Sequence, residues 1–416
     1  MENKVFILGG AQTDFERNWT KEGKNMIALL KEVVEDAFND SGFSFDNLIY
    51  LNKKNKVGVF VGNFIAENFI NQGHLGAFLT EIHPAFYGVP SARYEAACAS
   101  SSVAIEAAIS KIKAGDYDIC IVVGWEIMKS VNSLVGADII GKAAYYEKEC
   151  LNIEYPFPKI FSKLADFTLD KYGLDKERYL YALSRIANNN YSNAKKNPLA
   201  QTRKWFKNIE EISDRGSESN PFVGDLLAVS DCSQITDGTA VVLLCSENYI
   251  KENKIKDKPI IKGYGHRNAP LLLEKKIVLD NSSEYLLPWT RQTCLDAFNM
   301  SNLTPLDIDF FETHDCFTSS EFISISCFGL CEPGKEIELI ENGVIEFNGE
   351  KPINPSGGLI GCGHPVGASG ARMMLDLYKQ VSNKATGYQL NRCNTGMMLN
   401  IGGSATTNYA FIVGRE

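Results

Sequence analysis

Short apolar runs alternate with amphipathic stretches along the chain. Four runs in the first half are rich in β-branched residues and end in glycine or polar residues, which predicts buried strands. They are "KVFILGG" (4–10), "KVGVFVGNF" (56–64), "YDICIVVGWE" (117–126) and "TAVVLLCSE" (239–247). Between them, apolar residues at i, i+3, i+4 and i+7 predict a helix that ends near Gly115 and contains Ile105, Ala108, Ile109 and Ile112. The alternation of strand and helix favours an α/β fold.

The second half repeats this outline. It offers two strands, a helix, a glycine-rich segment and a last strand: "KPIIKGYGHRN" (258–268), "DIDFFETHD" (307–315), "YLLPWTRQTCLDAF" (285–298), "INPSGGLIGCGHPVGASGARMMLDLYKQ" (353–380) and "NYAFIVG" (408–414). In each half a reactive residue, Cys98 or His364, precedes a helix that opens with small residues. We therefore predict two pseudo-repeated halves, 1–255 and 256–416.

Residues from about 125 to 222 have a different texture, with many aromatic and charged side chains. We interpret this segment as an inserted loop domain over the sheet. Within it, "DKERYLYALSRIANNNYSNAKKNPLAQTRKWF" (175–206) predicts a long exposed helix followed by a loop.

Composition and charge narrow the class of protein. The 416 residues are 44% hydrophobic and 22% charged, which is typical of a globular protein of two domains or two large halves. The net charge of -9 argues against nucleic acid or an anionic membrane as the main partner. Neither a secretory signal nor an apolar stretch of about 20 residues is found, so we expect a cytoplasmic protein. The eleven cysteines are scattered and odd in number, which indicates reduced thiols.

Cys98 and His364 are the first two candidates for chemistry. Cys98 stands just before the helix that starts near Ser100, where backbone N–H groups and the helix dipole are expected to lower the pKa of its thiol. His364 follows four glycines and precedes Pro365, on a loop that backbone and ligand can approach closely. Its imidazole is the candidate base for the Cys98 proton. The alternatives are a buried structural cysteine and a loop histidine that satisfies backbone carbonyls.

The segment "HDC" (314–316) should emerge at the end of a buried strand, the edge at which open α/β sheets bind ligands. Cys316 is a candidate second acid and base, and His314 a candidate for polarising a carbonyl oxygen. The alternative is a metal site or a structural thiol. Because Cys327 and Cys331 form a C-x3-C pair without two further partners in sequence, we expect no metal.

The glycine pair in "LNIGGSA" (399–405) lies between apolar segments and can present bare N–H groups. We take the amides of Gly402 and Cys98 as candidate donors to an oxyanion. A tight turn without a chemical role is the alternative.

Four blocks in this order resemble the thiolase superfamily, in the branch related to the sterol-carrier-protein-linked thiolases. They are "CAS" at Cys98, "HDCF" from His314, "GHP" from Gly363 and "NIGGS" from Asn400. The segments "GGAQTDFERNW" and "DGTAVVLL" are also similar to that branch, so the likeness covers nearly the whole chain. Where common thiolases carry a second cysteine near the C-terminus this chain has Asn400, and Cys316 supplies the missing thiol.

The resemblance implies a thiolase-like fold in five α-β-α-β-α layers and an acetyl-CoA acetyltransferase or 3-ketoacyl-CoA thiolase. It implies that Cys98 is acylated, that His364 activates it, and that His314 helps to bind the thioester oxygen. Coenzyme A thioesters would be substrates, with no permanently bound cofactor. Basic residues of the insertion are candidates to contact the coenzyme A phosphates: Arg203, Lys204 and Lys207.

The resemblance also implies a homodimer or tetramer in lipid metabolism, and some members of the branch work with a small zinc-ribbon and OB-fold partner protein. Departures at Ser101 and Ala405, where relatives often carry glycine, narrow the predicted acyl site. Two alternatives stay open. The acyl group could pass to a non-CoA acceptor, or the chain could be a non-catalytic scaffold that binds coenzyme A or lipid.

Overall fold

Nine strands of one mixed sheet occur in the computed structural model, which describes residues 4–205 and 207–415. Seven of them are the predicted apolar runs, and the other two, Ser91–Tyr94 and Thr395–Gly402, were not predicted. The strands are β1 (Val5–Gln12), β2 (Val57–Gly62), β3 (Ser91–Tyr94), β4 (Ile119–Glu126), β5 (Gly238–Ser246), β6 (Ile260–Asn268), β7 (Phe310–Thr313), β8 (Thr395–Gly402) and β9 (Thr407–Gly414). Their order is β3-β2-β4-β5-β1-β6-β9-β8-β7. The two halves meet between β1 and β6, where Phe6 pairs with Ile260.

Sixteen α-helices occur in the described residues. They are α1 (Met26–Ser41), α2 (Phe45–Lys53), α3 (Ala66–Phe69), α4 (Ser100–Lys113), α5 (Ser133–Gly141), α6 (Tyr146–Glu149), α7 (Pro156–Tyr172), α8 (Lys176–Ala194), α9 (Ile209–Ser213), α10 (Glu247–Glu252), α11 (Leu273–Lys276), α12 (Pro288–Ser301), α13 (Thr318–Phe328), α14 (Glu336–Glu341), α15 (Gly358–Cys362) and α16 (Ser369–Val381). Short 3₁₀ segments are Leu75–Glu81, Pro84–Phe86, Val229–Asp231, Pro305–Asp307 and Val366–Ala368.

The helices sort into layers on either side of the two half-sheets. Helix α1 packs on β1 and β5, and α12 packs on β6 and β9. Between the half-sheets lie α4 and α16, which contact each other and bury their apolar faces against strands of both halves. This arrangement is the α-β-α-β-α layering that the sequence predicted, with the small-residue helix starts of the two halves side by side.

The segment between β4 and β5 is helical, but its long helix is not exposed as predicted. Helix α8 buries eleven side chains and packs on α13 and α15 of the second half. Its asparagines look like a solvated face in sequence, yet they bond inside the protein: the Asn190 amide donates to Asp315 (2.9 Å) and Glu321 (2.6 Å), and that of Asn193 to the Asn354 carbonyl (3.0 Å). The prediction of an exposed helix failed because polar side chains can be buried when they have hydrogen-bond partners inside the protein.

The chain passes from the first half to the second between Glu252, at the end of α10, and Ile260, at the start of β6. The predicted domain boundaries of 1–255 and 256–416, with an insertion at 125–222, stay predictions. Over the described residues, the helices are all too short or too polar to span a bilayer.

Candidate active site

A partly open cavity of about 250 Å³ lies where the ends of β4 and β7 meet the starts of α4 and α16. Among the described residues its wall carries no charged side chain and is mostly apolar. It is lined by Cys98, Met128, Ser133, Ala137, Ile140, Tyr155, Phe157, Pro158, Val223, Val229, Cys232, Ser233, Gln234, Ile235, Cys316, Phe317, His364, Val366 and Gly403. Three of the predicted site residues, Cys98, Cys316 and His364, therefore share one chamber.

Cys98 lies at the entrance to α4 as predicted, on a turn in which Ala97 has φ of 51°. The prediction of a lowered thiol pKa is wrong, because burial raises the pKa of Cys98 to about 12. The amides of Ala99 and Ser100, at the helix start, already donate to the carbonyls of Ala96 and Ala97. They are therefore not available to the sulfur.

The glycine pair contributes Gly403 to the cavity wall, whereas Gly402 lies outside it. The backbone N–H groups of Gly403 and of Cys98 itself act against the effect of burial, because both lower the pKa of the Cys98 thiol. Gly402 packs against the Ala96 carbonyl, so a side chain there would collide with the turn that carries the cysteine. The structure thus shifts the predicted amide donor by one residue, from Gly402 to Gly403.

His364 is held with one ring nitrogen free. Its backbone N–H donates to Thr236 Oγ1 (2.9 Å), and its Nδ1 lies 2.6 Å from Ser369 Oγ. The Ser369 hydroxyl also donates to the Pro365 carbonyl (3.1 Å), so its single proton is used there and it accepts from Nδ1–H. Burial, helped by the Arg372 charge, lowers the pKa of His364 to about 3. The ring is therefore neutral, with an unprotonated Nε2 that can act as a base.

His314 is fixed in the opposite tautomer. Ser102 Oγ donates to Asn400 Oδ1 (2.6 Å), which turns the Asn400 amide nitrogen towards His314 Nδ1 at 3.0 Å. Nδ1 is then an acceptor and the proton sits on Nε2, a buried atom without a partner among the described residues. Burial lowers the pKa of His314 well below its usual range. The His314 side chain is therefore neutral, and its Nε2–H can donate to an acceptor on a bound molecule.

The two histidine rings and Cys98 lie together. The ring centroids are 5.2 Å apart at 84°, and one ring nitrogen of each histidine lies within 4.8 Å of Cys98 Sγ and of the other nitrogen. These three donors could in principle share a metal ion. Metal ligation needs a free lone pair, however, and His314 has none in the tautomer that Asn400 imposes.

Cys316 follows β7 and reaches the same cavity from the second half. Burial raises the pKa of its thiol well above the usual range, and the neighbouring charge of Cys98 adds to this rise. The nearby Ser320 hydroxyl and Phe317 amide act in the opposite direction and lower this pKa. At rest both cavity thiols are therefore protonated.

Asp315, between His314 and Cys316, points away from the cavity. Its carboxylate accepts the N–H groups of Leu359 (2.5 Å) and Ile360 (3.1 Å), in the first turn of α15. Helix α15 runs directly into the loop of His364. Asp315 thus ties the end of β7 to the histidine loop and has a structural role.

Glu126 was missed from sequence although it ends a clear apolar strand, β4. It is fully buried and accepts from the amides of Phe64 (2.9 Å), Ile65 (3.3 Å) and Gly367 (3.1 Å) and from the Asn63 side chain (3.0 Å). Burial raises its pKa to about 7. The sequence signal that could have identified Glu126 was a carboxylate at the end of a predicted buried strand.

The basic residues predicted for phosphate contact lie outside the cavity wall. Arg203 forms a bidentate ion pair with Asp14 (2.8 and 2.7 Å) and contacts Glu16 (2.6 Å). Lys204 also pairs with Glu16 (2.9 Å). The backbone carbonyl of Lys207 accepts from Lys195 (3.2 Å). Because Arg203 and Lys204 are already neutralised by acids, the structure gives their phosphate role no support.

Fold and cavity together define an α/β protein with two thiols and two neutral imidazoles at the junction of two similar halves. Sequence-family models agree. The model described as "Thiolase, N-terminal domain" matches residues 5–212, and "Thiolase C-terminal domain-like" matches residues 275–415. The chain belongs to the thiolase family.

Individual relatives extend over the same length. The chain is similar to "Acetyl-CoA acetyltransferase" of Methanothermobacter thermautotrophicus, with 31% identity over 99% of each chain. It is 26% identical to "Sterol carrier protein 2" of Gallus gallus, over 97% of this chain and 70% of that one. The solved structure of an "Ltp2-ChsH2(DUF35) aldolase" superposes with a TM-score of 0.76 over 99% of this chain and 98% of that chain, at 18% identity.

Proposed function

We propose that this chain is an acetyl-CoA acetyltransferase or 3-ketoacyl-CoA thiolase that works by a ping-pong mechanism through an acyl group on Cys98. The observation that carries the proposal is that Cys98, Cys316 and His364 line one uncharged cavity, with His314 alongside. The name of the archaeal acetyl-CoA acetyltransferase relative supports the substrate class.

In the first half-reaction the Cys98 thiol attacks the carbonyl carbon of an acyl-CoA. The thiol proton passes to Nε2 of His364, which is unprotonated at rest. The negative charge that develops on the carbonyl oxygen is stabilised by the N–H groups of Cys98 and Gly403, the two amides that lower the pKa of the Cys98 thiol. Collapse of the tetrahedral adduct expels the coenzyme A thiolate, which takes the proton from His364, and leaves the acyl group on Cys98.

In the second half-reaction an acetyl-CoA binds with its thioester oxygen at the Nε2–H of His314, the unpartnered donor. Cys316 first passes its thiol proton to Nε2 of His364, which the first half-reaction left unprotonated, and His364 returns this proton to Cys98 at the end of the step. The Cys316 thiolate takes a proton from the adjacent methyl carbon, and the resulting carbanion attacks the acyl carbon on Cys98. A carbon–carbon bond forms and Cys98 leaves as a thiolate. Run backwards, the same steps cleave a 3-ketoacyl-CoA.

The cavity wall selects against charged acyl groups. The described lining residues carry no Lys, Arg, Asp or Glu that could neutralise a charge, and burying an unpaired charge is costly. Acetyl and other short neutral acyl groups are therefore the proposed substrates.

Intact-mass measurement after mixing with acetyl-CoA tests the proposal. We expect one acetyl adduct on the native protein and none on Cys98→Ala. Cys232→Ala is the matched control, because Cys232 lines the same cavity and should be dispensable for acylation. An adduct that persists in Cys98→Ala, or no adduct with any short acyl-CoA, would contradict the acyl-cysteine; the second result would favour a non-catalytic scaffold.

A second candidate keeps the acyl-cysteine but passes the group to a non-CoA acceptor. The name of the structural relative joins Ltp2 to ChsH2(DUF35) and calls the assembly an aldolase, which favours a thiolase-like chain that works with a small partner. If native protein is acetylated but forms no acetoacetyl-CoA, this candidate replaces the first. A homodimer or tetramer, a cytoplasmic location and a role in lipid metabolism belong to the proposal on the family resemblance.

A further inference from the structure

Lys276 is a fully buried lysine at the end of α11, more than a hundred residues before the turn that it contacts. Its ammonium donates to the Ser404 carbonyl (2.7 Å), to Ser404 Oγ (2.9 Å) and to Thr406 Oγ1 (2.7 Å). These three acceptors match the three N–H groups of a charged lysine. All of them belong to residues 402–406, which we call the β8–β9 turn.

The β8–β9 turn holds an unfavourable backbone conformation. Gly403 has φ of 65° and Ala405 has φ of 64°, and the second of these is strained for a residue with a side chain. Gly403 is also pressed against the Ala143 carbonyl, since an added Cβ would lie 2.5 Å from that oxygen. A turn with two left-handed residues and little room needs outside contacts to keep one geometry.

The β8–β9 turn also carries the Gly403 amide, which lies beside the proposed nucleophile, Cys98. Gly403 and Cys98 line the same cavity, and the Gly403 N–H lowers the pKa of the Cys98 thiol. Residue 404, whose backbone carbonyl and hydroxyl are both held by Lys276, is the next residue along the chain. A shift at Ser404 therefore moves the donor at Gly403 directly.

We propose that Lys276 is a positioning residue that fixes the β8–β9 turn so that the Gly403 N–H points at Cys98. Lys276 does not touch substrate, and it acts through the turn. The inference rests on the proposed role of Cys98 as the acyl acceptor. It adds a residue that none of the four sequence blocks contains.

Other contacts to the turn are fewer and lie further from Gly403. The Asn408 side chain donates to the Ala405 carbonyl (3.1 Å), and the Ala269 amide donates to the Thr406 carbonyl (2.7 Å). Ser404 itself is held by Lys276. Burial lowers the pKa of Lys276 to about 7 while the charge of Glu149 opposes this fall, so the ammonium predominates below neutral pH and loses its proton as the pH rises through about 7.

Substitution of Lys276→Met tests the proposal, with Lys351→Met as the matched control. Lys351 is also nearly buried and donates to three carbonyls, those of Pro305 (3.1 Å), Leu306 (3.1 Å) and Ile308 (2.7 Å), before β7. Both changes remove a buried lysine with three acceptors. Of these two lysines, Lys276 alone contacts the β8–β9 turn.

Two rates are measured at pH 7: acetylation of Cys98 by acetyl-CoA, and alkylation of Cys98 by iodoacetamide followed by peptide mass spectrometry. We expect Lys276→Met to slow acetylation by about tenfold or more and to slow alkylation severalfold, because the thiolate loses a donor. Lys351→Met should keep both rates near those of the native protein, even where its melting temperature falls.

Thr406→Val gives a milder second variant, because Thr406 is only partly buried and loses a single acceptor for Lys276. We expect it to fold and to show an intermediate loss of both rates. The proposal would be overturned if Thr406→Val kept native rates and Lys276→Met folded and was fully active. It would also be overturned if Lys351→Met lost as much of both rates as Lys276→Met. Alkylation reports on Cys98 without acyl transfer, so native protein that is alkylated but never acetylated refutes the proposed function and leaves this inference separately testable.

Discussion

At the scale of single residues, two cysteines in one cavity differ in the groups around their sulfur atoms. Two backbone N–H groups, those of Gly403 and Cys98, lower the pKa of the Cys98 thiol, and one ring nitrogen of His364 lies within 4.8 Å of its sulfur. Near Cys316 lie the Phe317 amide and the hydroxyl of Ser320, which donates to the carbonyls of His314 and Phe317. The first setting suits a sulfur that becomes acylated beside an oxyanion, and the second suits a sulfur that only exchanges a proton.

Cys316→Ala should separate the two half-reactions. We expect the variant to be acetylated on Cys98, because the first half-reaction uses only Cys98, His364 and the amides. Formation of acetoacetyl-CoA from acetyl-CoA should fall by about 10²-fold or more, since removal of the proton from the methyl carbon loses its base. The measurement is intact mass together with a condensation assay.

Cys232→Ala, a change in the same cavity wall, serves as the control and should condense normally. If Cys316→Ala condensed at the native rate, Cys316 would have no part in proton transfer.

At the scale of elements, the end of β4 acts as a junction. The Glu126 carboxylate accepts amides from the loop after β2 and from the Val366–Ala368 segment that follows His364. Four N–H groups converge on one buried acid. The loop after β2 and the loop of His364 therefore share a single anchor.

Glu126→Gln should change how stability depends on pH. Burial raises the pKa of Glu126 from 4.5 to about 7, so the folded protein binds a proton more tightly than the unfolded chain does. The stability that this protonation contributes is present below pH 4.5 and is lost as the pH rises through 7. We expect the unfolding free energy of the native protein, relative to Glu126→Gln, to fall by roughly 3 kcal/mol across this window.

Urea unfolding of both proteins at several pH values between 4.5 and 7.5 measures this difference, and groups common to both proteins cancel. A difference that stayed constant, or that grew with pH, would show that Glu126 is ionised throughout.

At the scale of the whole molecule, the site exists because the two halves meet through α4 and α16. The chain of hydrogen bonds from Ser102 through Asn400 to His314 crosses this contact. Gly370 at the start of α16 lies directly against it: an added Cβ would lie 2.8 Å from both Asn400 Oδ1 and the Ser102 amide. The tautomer of His314 thus depends on close packing between the halves.

Gly370→Ala should therefore lower both stability and activity. Overpacking between two rigid helices costs roughly 1–3 kcal/mol, and displacement of the Asn400 amide should slow condensation. Gly73→Ala is the control, because an added Cβ there meets only the Glu67 side chain at 4.0 Å. Urea unfolding and the condensation assay measure the two effects, and a Gly370→Ala protein indistinguishable from Gly73→Ala would contradict this account.

The sequence by itself determined seven of the nine described strands, the pairing of a reactive residue with a small-residue helix in each half, and the four motif blocks. Each of these depends on local periodicity or on a short run of residues, which the chain carries explicitly. The order of strands, the depth at which α8 lies and the role of Asp315 depend on partners far away in sequence.

Only the tertiary structure decided the electrostatics of the site. Cys98 keeps its proton because the surrounding halves bury it, a cost that outweighs the amides expected from its helix start. Ser369 and Asn400 select opposite tautomers in the two histidines, and Gly403 rather than Gly402 faces the sulfur. Desolvation and hydrogen-bond direction are properties of a closed, three-dimensional environment, so no linear pattern of residues could have specified them.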